Sequence, residues 1–564
     1  MKLILIPAIF LLIIGQAQIP LTADQLLIIG DDFYSKGRYD EAIQAYDEAI
    51  RLDFENAMAW YNKGTALIMQ GKYDEAIQAF DEAIRIEPEL AGAWFGKGLA
   101  LKNLGNYTEA IQCYDDAIRL DPEYVHAWNN KGLALKNLGN YSEAIQCYDE
   151  AIRLDPEDAY AWYSKGWALH SMGNYTEAIK AYDGAIRLDP EWAAPWNGKG
   201  IALYDLGNFT EAIQAYDGAI RLDPEYALAW NNKGVVLADH GNYSEAIRCY
   251  DKAISFDPEF SWPWENKGIA LKNLGKHDEA IQAFDGAIRR DPEDAYTWSN
   301  KGNALTYLGE YDEAILAYDE AIELDPDNAN AWYNKGCTLL DRGNFTEAIQ
   351  AFNTAIRLDP NNSDFWNNKG VALDRQGNYS EAIQAYEDAI GLDPEYSRAW
   401  INKGFVLLLM GNYTDSIDAI DEAIELDPED ADFWLDRGDS HYAMGRYDEA
   451  LASYNRTIGL NESDADGWHR MFFALEKLGR HNKSLDSLNK SMGLGLSDAE
   501  AMNGEGWMLY LSGNRAGALE LYERALELDP ELSDAWINKG IALRVLGRDA
   551  EADEAIVTGV RLRD

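Results

Sequence analysis

Eight short stretches of this chain could carry covalent chemistry, and they are all alike. Asn106-Tyr107-Thr108 is an acceptor sequon for an N-linked sugar, and the same pattern of Asn, aromatic and Ser or Thr returns at Asn140, Asn174, Asn208, Asn242, Asn344, Asn378 and Asn412. Five further sequons stand at Asn361, Asn455, Asn461, Asn482 and Asn489. No comparable constellation points to chemistry done by the chain itself. The seven His residues (His126, His170, His240, His277, His441, His469 and His481) have no metal-ligand spacing and form no His-Glu-x-x-His. Ser463 to Trp468 has too few alternating acids for a calcium loop. Paired carboxylates such as Asp149-Glu150 recur where a solvated helix face is expected. The chain is therefore expected to be non-enzymatic, with no cofactor and no metal.

Turn chemistry offers a second account of the sequons. Asn tolerates the left-handed conformation that follows a turn Gly, and Ser or Thr caps a following helix, so Thr108 is expected to cap. Asp caps at least as well, and Asp40, Asp74, Asp278, Asp312 and Asp448 take that place in other turns. Those five are preceded, two residues earlier, by Arg38, Lys72, Lys276, Glu310 and Arg446, never by Asn. Capping alone does not produce that partition. Glycosylation does, and so does duplication of a few ancestral units.

The elements that must position these turns repeat from end to end. Trp recurs every 34 residues from Trp60 through Trp94 and Trp128 to Trp468, gives way to Met502 and returns at Trp536. Leu26 holds the same register before Trp60. One unit reads Trp94, Gly98, Leu101, Tyr107, Ala110, Tyr114, Ala117, Pro122. The spacing predicts a first helix over about 91–104 and a second over about 108–120, with Trp94 and Leu101 on one stripe. Gly98 and Ala110 lack bulk, so the helices can approach; Gly105 ends the first, and Pro122 stops the second. One hairpin cannot bury its apolar stripe alone, so neighbours must stack.

This frame resembles the tetratricopeptide repeat family over nearly the whole chain, without an insertion. The resemblance implies an all-α fold, a right-handed superhelical solenoid of sixteen helix-turn-helix units between Ala23 and Asp564. Repeats 23–430 are regular and number twelve. Repeats 431–498 have lost frame residues: Pro becomes Glu462 and Leu496, and Gly becomes Phe472. They are expected to pack irregularly or to hinge. Residues 499–564 hold the C-terminal repeats, where Asp549 and Asp553 replace the usual Tyr and Ile as a capping end would require. One departure is systematic: Lys63, Lys97, Lys131 and Lys165 precede the frame Gly, where they are expected to snorkel and to leave a positive line near the inner face.

Lys2, the apolar run Leu3 to Ile14 and the small-residue stretch Gly15-Gln16-Ala17 have the form of a signal peptide over 1–17, followed by a short linker over 18–22. An extracytoplasmic location, secreted or cell-surface, is expected; the alternative is a cytoplasmic protein whose first residues are misread. No later stretch is apolar enough for a membrane span. The net charge of −48 repels phosphate backbones and anionic membrane surfaces, so nucleic acid is not an expected partner. Cys113, Cys147 and Cys249 share one repeat position and, with Cys337, imply no disulfide framework.

In the family the residue two after each Trp lines a concave groove. Here that residue is Asn62, Asn130, then Asn232, Asn266, Asn300, Asn334, Asn368 and Asn402 in succession, with Asn538 near the end. A side-chain amide both donates and accepts, so such a ladder can bond the backbone of an extended peptide whatever its side chains. It is similar to the ladder in the repeat domain of O-GlcNAc transferases, without the transferase domain. Tyr61, Phe95, Asn129, Tyr163, Asn197, Asn231 and Glu265 follow the Trp directly; Trp167, Ile201, Val235, Ile269, Asn303 and Phe405 stand five after it. Aromatics and amides together favour a peptide. A carboxylate clamp is not expected: Asn303 and Asn334 match it, but Ser299, Asp364 and Asn368 stand where basic partners would. The expected function is an exported scaffold for protein or peptide partners; the alternatives are a structural cell-envelope glycoprotein and an intracellular adaptor. The regularity, acidity and turn sequons are similar in style to long tandem-repeat proteins of archaea, especially methanogens.

Overall fold

The structure, a computed structural model, describes residues 21–563. The expected signal peptide lies outside the described residues; of the expected linker only Leu21 and Thr22 are described, and Thr22 caps the first helix by accepting from Gln25 N–H. Among the described residues there are 32 helices and no strand, arranged as consecutive hairpins. The chain divides into two compact units, Met1–Pro258 and Glu259–Asp564. The first holds seven hairpins, from Ala23–Ser35 with Tyr39–Leu52 to Ala227–Asp239 with Tyr243–Phe256. The second holds nine, from Ser261–Asn273 with His277–Ile288 to Ser533–Val545 with Asp549–Arg563.

The third hairpin shows how the frame residues work. Its helices, Ala91–Asn103 and Tyr107–Leu120, bury Ala93, Ala100 and Leu101 from one and Ala110, Cys113, Tyr114 and Ala117 from the other. The second set recurs at i, i+3, i+4 and i+7, one face of a helix. Tyr114 is fully buried, and a Cβ on Gly98 would lie 2.7 Å from its ring. The Gly is therefore a socket for the Tyr, and the pair closes the hairpin. Leu101, Ala110, Cys113 and Tyr114 share their apolar cluster with Ala134 of the next repeat, so each core is completed only by its neighbour. The thiols of Cys113, Cys147 and Cys249 are buried, and burial pushes each up to about 11, the behaviour of a small core residue.

The turn corrects the capping expectation. Gly105 has φ +82°, and among the described residues only Gly adopts positive φ. Gly105 N–H bonds Lys102 O at 3.0 Å and Asn106 N–H bonds Leu101 O at 2.9 Å, the paired bonds that end a helix in a Schellman motif. Asn106 O then accepts from Ala110 N–H at 3.0 Å and opens the next helix. Asn106 is thus the last residue of one motif and the N-cap of the next, with φ −81° and no side-chain cap bond. Thr108 lies inside the first turn and caps nothing; Asp40 and Asp74 occupy the same place behind Arg38 and Lys72. The connection is too short for a separate capping residue.

The Lys before the frame Gly also differs from expectation. Lys63, Lys97, Lys131, Lys165, Lys199 and Lys233 reach Asp47, Asp81, Asp115, Asp149, Asp183 and Asp217 of the preceding second helix at 2.5 to 2.7 Å. Lys63 and Lys131 also lie 5.3 and 5.8 Å from the ring centroids of Trp60 and Trp128. An acid sixteen residues earlier is in reach of each, so these charges are neutralised between repeats and form no positive line. The Trp itself is anchored by its indole N–H, which Trp94 donates to Pro88 O at 3.0 Å and Trp468 donates to Glu462 O at 3.1 Å. The carbonyl survives the loss of the Pro.

Repeats 431–498 keep their hairpins, Ala431–Ala443 with Tyr447–Leu460 and Ala465–Lys477 with His481–Gly493. The first three of these helices contribute to an apolar cluster that runs from Leu408 to Ala542 and includes Tyr442, Tyr454, Trp507 and Tyr522, whereas His481–Gly493 buries only Ser484, Ser487 and Ser491. Leu488 takes the register position of the socket Tyr where Phe472 replaces Gly, so bulk has changed sides within the hairpin.

Candidate interaction surface

The residues expected to line a groove stand on successive first helices, and most are bonded to the repeat before them. Asn232 Nδ2 donates to Asn197 Oδ1 at 3.1 Å, Asn402 Nδ2 to Asn367 Oδ1 at 3.0 Å and Asn538 Nδ2 to Asn503 Oδ1 at 3.0 Å. Each is the same clasp: an amide one residue after the Trp position accepts from an amide two after the next. Asn62 Nδ2 reaches Asp31 at 3.0 Å, and Asn368 Nδ2 reaches the Tyr333 hydroxyl at 2.7 Å and Cys337 Sγ at 3.5 Å. Asn300 is buried, 4% exposed, donating to Tyr296 O at 3.1 Å; Asn266 and Asn334 are half-buried. The ladder is thus a seam between repeats as well as a candidate contact line. An amide has two N–H groups and two lone pairs, so an amide held by one bond still presents a donor and an acceptor in a fixed orientation.

A set of lysines joins this seam. Lys102 Nζ donates to Asn130 Oδ1 at 3.0 Å and Lys272 Nζ to Asn300 Oδ1 at 2.8 Å, while Lys136 Nζ lies 4.3 Å from the ring centroid of Trp167. Burial pulls all three ammonium groups below the usual lysine range. They occupy one frame position, four residues after the frame Gly, where the motif Leu-Lys-Asn-Leu-Gly recurs; that recurrence was the available signal, and the more numerous Lys before the Gly obscured it.

The positions beside the Trp split by type. Asn129, Asn197 and Asn231 are buried; Asn129 and Asn197 hold neighbouring repeats together, Asn129 through Asp158 Oδ2 at 2.5 Å, while Asn231 donates to Asn232 beside it at 3.4 Å. The aromatics form ring pairs: Phe95 with Tyr124 at 5.0 Å and Tyr163 with Trp192 at 4.8 Å. Trp167 is 37% exposed. In the second unit Asn303 accepts from the Tyr318 hydroxyl at 2.8 Å, Glu265 is pushed up to about 7 by burial and by Asp294, and Phe405 stacks on Trp507 at 6.2 Å.

The sequon Asn residues lie on the turns. Asn106, Asn140, Asn174, Asn208, Asn242, Asn378 and Asn412 are exposed, and Asn344 is half-buried. None caps its helix through its side chain. Among the described residues no group of His, Cys, Asp and Glu is placed to hold a metal, and no helix is long and apolar enough to cross a membrane.

A family model described as a tetratricopeptide repeat matches residues 29–91, 130–191, 197–259, 333–397 and 403–465, and related models of the repeat match 98–139, 249–282, 302–340, 499–532 and 521–554. A protein of Methanocaldococcus jannaschii described as uncharacterized is 51% identical over 43 residues, 8% of this chain and 50% of that one. The chain thus spans half the length of this curated relative. Among solved structures, MamA is 27% identical with a TM-score of 0.28, covering 29% of this chain and 95% of that one. YrrB, described as a TPR protein with an unusual peptide-binding site, is 25% identical with a TM-score of 0.30, covering 34% and 98%. The Cut9-Hcn1 hetero-tetramer is 17% identical with a TM-score of 0.40, covering 92% and 98%.

Proposed function

Because the chain belongs to the tetratricopeptide repeat family, we propose that it is an exported, non-enzymatic scaffold that holds extended peptide segments along its first-helix face. The repeat fold implies protein partners in general. The observation that carries the finer reading is the amide seam. Asn232, Asn266, Asn300, Asn334, Asn368 and Asn402 stand at one frame position, and clasps such as Asn232 to Asn197 hold amides in orientation before any ligand arrives. The Lys102 and Lys136 ammonium groups add donors for peptide carbonyls beside aromatic surface such as Trp167.

The test starts from peptides selected on the full chain from a random display library. Changing Asn232, Asn266 and Asn402 together to Ala is expected to weaken a selected peptide by roughly tenfold to a thousandfold, at about 0.5–1.5 kcal/mol per lost neutral bond. The loss is expected to be independent of the peptide's side chains, with helix content unchanged. Selected peptides that bind the triple variant as tightly as the parent would remove the amides from the account.

The glycan reading has its own support. The same backbone bonds close turn after turn, and neither left-handed Asn nor side-chain capping by the sequon Asn occurs there, so capping leaves the Asn and Ser/Thr pairing unexplained. Export and occupied sequons together describe a surface-coated scaffold, and a structural envelope glycoprotein is the second reading, with the sugars as its working surface. Intact-mass measurement of the protein from its native host separates these from a cytoplasmic adaptor. Loss of residues 1–17 with added sugar mass is expected; an unmodified chain beginning at Met1 contradicts export and glycosylation alike.

A further inference from the structure

The last repeat returns to touch repeats far back in the second unit. Arg544, on the helix Ser533–Val545, donates from Nη1 to Arg375 O at 2.8 Å across 169 residues, with its side chain only 10% exposed. Its Nη2 pairs with Asp553 of the following helix. On that helix, Asp549–Arg563, Val557 lies against the turn glycine Gly343: a Cβ there would fall 2.8 Å from Val557 Cγ1. Arg561 completes the wall of a cavity of about 710 Å³ whose other side includes Asn303, Asn334 and Cys337.

The contrast with equivalent turns marks this contact as particular. The turn glycines Gly71, Gly105, Gly139, Gly173, Gly207 and Gly241 have nothing within 4 Å of a Cβ position, whereas Gly343 meets Val557 and Gly377 meets Arg544. The neighbouring sequon residue follows suit, since Asn344 is half-buried where Asn106 and its equivalents are exposed. The covered stretch carries Asn334 and Cys337, and Asn368 stands beside it through its bond to Cys337.

We propose that the last repeat is an intramolecular latch that closes over the first-helix edge of repeats 303–377, so that a partner reaches this part of the amide seam only when the latch opens. The guanidinium of Arg544 is the clasp: one arm on a main-chain carbonyl of the distant turn, the other on Asp553 of its own hairpin. Such a contact is small beside the apolar interfaces between successive repeats, so it is the element expected to release first. That a partner is excluded rests on the peptide-binding reading; the latch itself does not.

Cys337 reports the latch without any partner. It lines the cavity that Arg561 completes, while Cys113, Cys147 and Cys249 lie in the cores of the first unit and serve as internal controls. The full chain and an Arg544→Ala/Val557→Asp variant are treated with a maleimide at fixed pH, and labelling of each thiol is followed by peptide mass spectrometry. The variant is expected to label at Cys337 about tenfold faster or more, as local opening becomes frequent, with the three control thiols unchanged. Equal Cys337 rates in the two proteins would overturn the latch. So would a rise at all four thiols, which means general loosening. If the double variant loses helix content, Arg544→Ala alone carries the same comparison. Failure of the Asn-to-Ala binding test with a positive thiol result would reject the peptide reading and leave the latch standing.

Discussion

Seven repeats before Pro258 and nine after it share one frame, yet they hold together differently. In the first unit, the side-chain bonds described between repeats run only between neighbours, from 16 residues apart (Lys165 to Asp149) to 35 (Asn232 to Asn197). In the second, Trp507 Nε1 donates to Asp439 Oδ2 across 68 residues, and Arg544 reaches Arg375 across 169. Asp439 is fully buried, accepting also from the Tyr454 hydroxyl at 2.7 Å and pairing with Arg470, which holds Asp466 at 2.8 Å. A nearest-neighbour array can melt locally, repeat by repeat. A unit tied across several repeats gains cooperativity and gives up freely accessible surface. The second unit has made that exchange where its motif is weakest.

Four perturbations sharpen or break this contrast. The largest effect is expected from Asp439→Ala, which leaves the buried Arg470 guanidinium with Asp466 alone and takes the acceptor from the Tyr454 hydroxyl and the Trp507 indole N–H. Removing one partner of a buried ion pair costs about 3–5 kcal/mol. Hydrogen exchange is expected to show lost protection over repeats 431–564 with the first unit unchanged; equal loss in both units would mean that the chain unfolds as one. Next, Trp507→Phe keeps the stack on Phe405 but removes the indole donor to a charged acceptor, a loss of about 1.5–3 kcal/mol. Denaturant titration followed by exchange is the check, and again only the second unit is expected to respond.

The third is a pH effect. Burial, then Asp439, pushes Asp436 up to about 7, and Glu265 is raised to about 7 as well. Between the ordinary carboxylate range and about 7 these two carboxyls therefore hold protons in the folded second unit that they lose in the unfolded chain, an excess that the depressed imidazoles of buried His441 and His469 partly offset. By linkage the unit's stability is greatest at the acid end of that window and falls as pH rises through 7. Thermal melts at pH 5 and pH 8 are expected to show the decline, and Asp436→Asn is expected to flatten it. A second unit more stable at pH 8 than at pH 5 contradicts the assignment. The smallest effect is expected from Asn232→Ala in the first unit, which removes the clasp to Asn197 at about 0.5–1.5 kcal/mol. Exchange is expected to rise only in the two flanking repeats.

The repeat fold was legible because each frame residue has a local mechanical reason. Trp94, Gly98, Tyr114 and Pro122 announce period, socket, plug and stop, and each meets its partner within one repeat. What was not legible involves partners outside that window. Lys131 reads as a snorkelling stem until Asp115 is seen sixteen residues back on another helix. Asp439, Arg470 and Trp507 look like three unrelated substitutions, because no local pattern joins residues that meet across several repeats. The capping expectation failed for a geometric reason: Asn106 serves two motifs at once, and the sequence does not show how short the connection is. The candidate contact line was found by its period, but its double use as a seam depends on amide orientation, which only the packed helices fix.

The most direct test of the scaffold account is the hydrogen-exchange footprint of one selected peptide on the full chain. Protection is predicted along the first helices that carry the amide seam outside the latched stretch, centred on segments such as Ala227–Asp239 and Ser397–Leu409. The turns that carry Asn106, Asn140 and Asn174 are predicted to exchange as in the free protein. Protection confined to those turns and to the second helices, with the first helices unchanged, would contradict the account and move the working surface to the sequon edge.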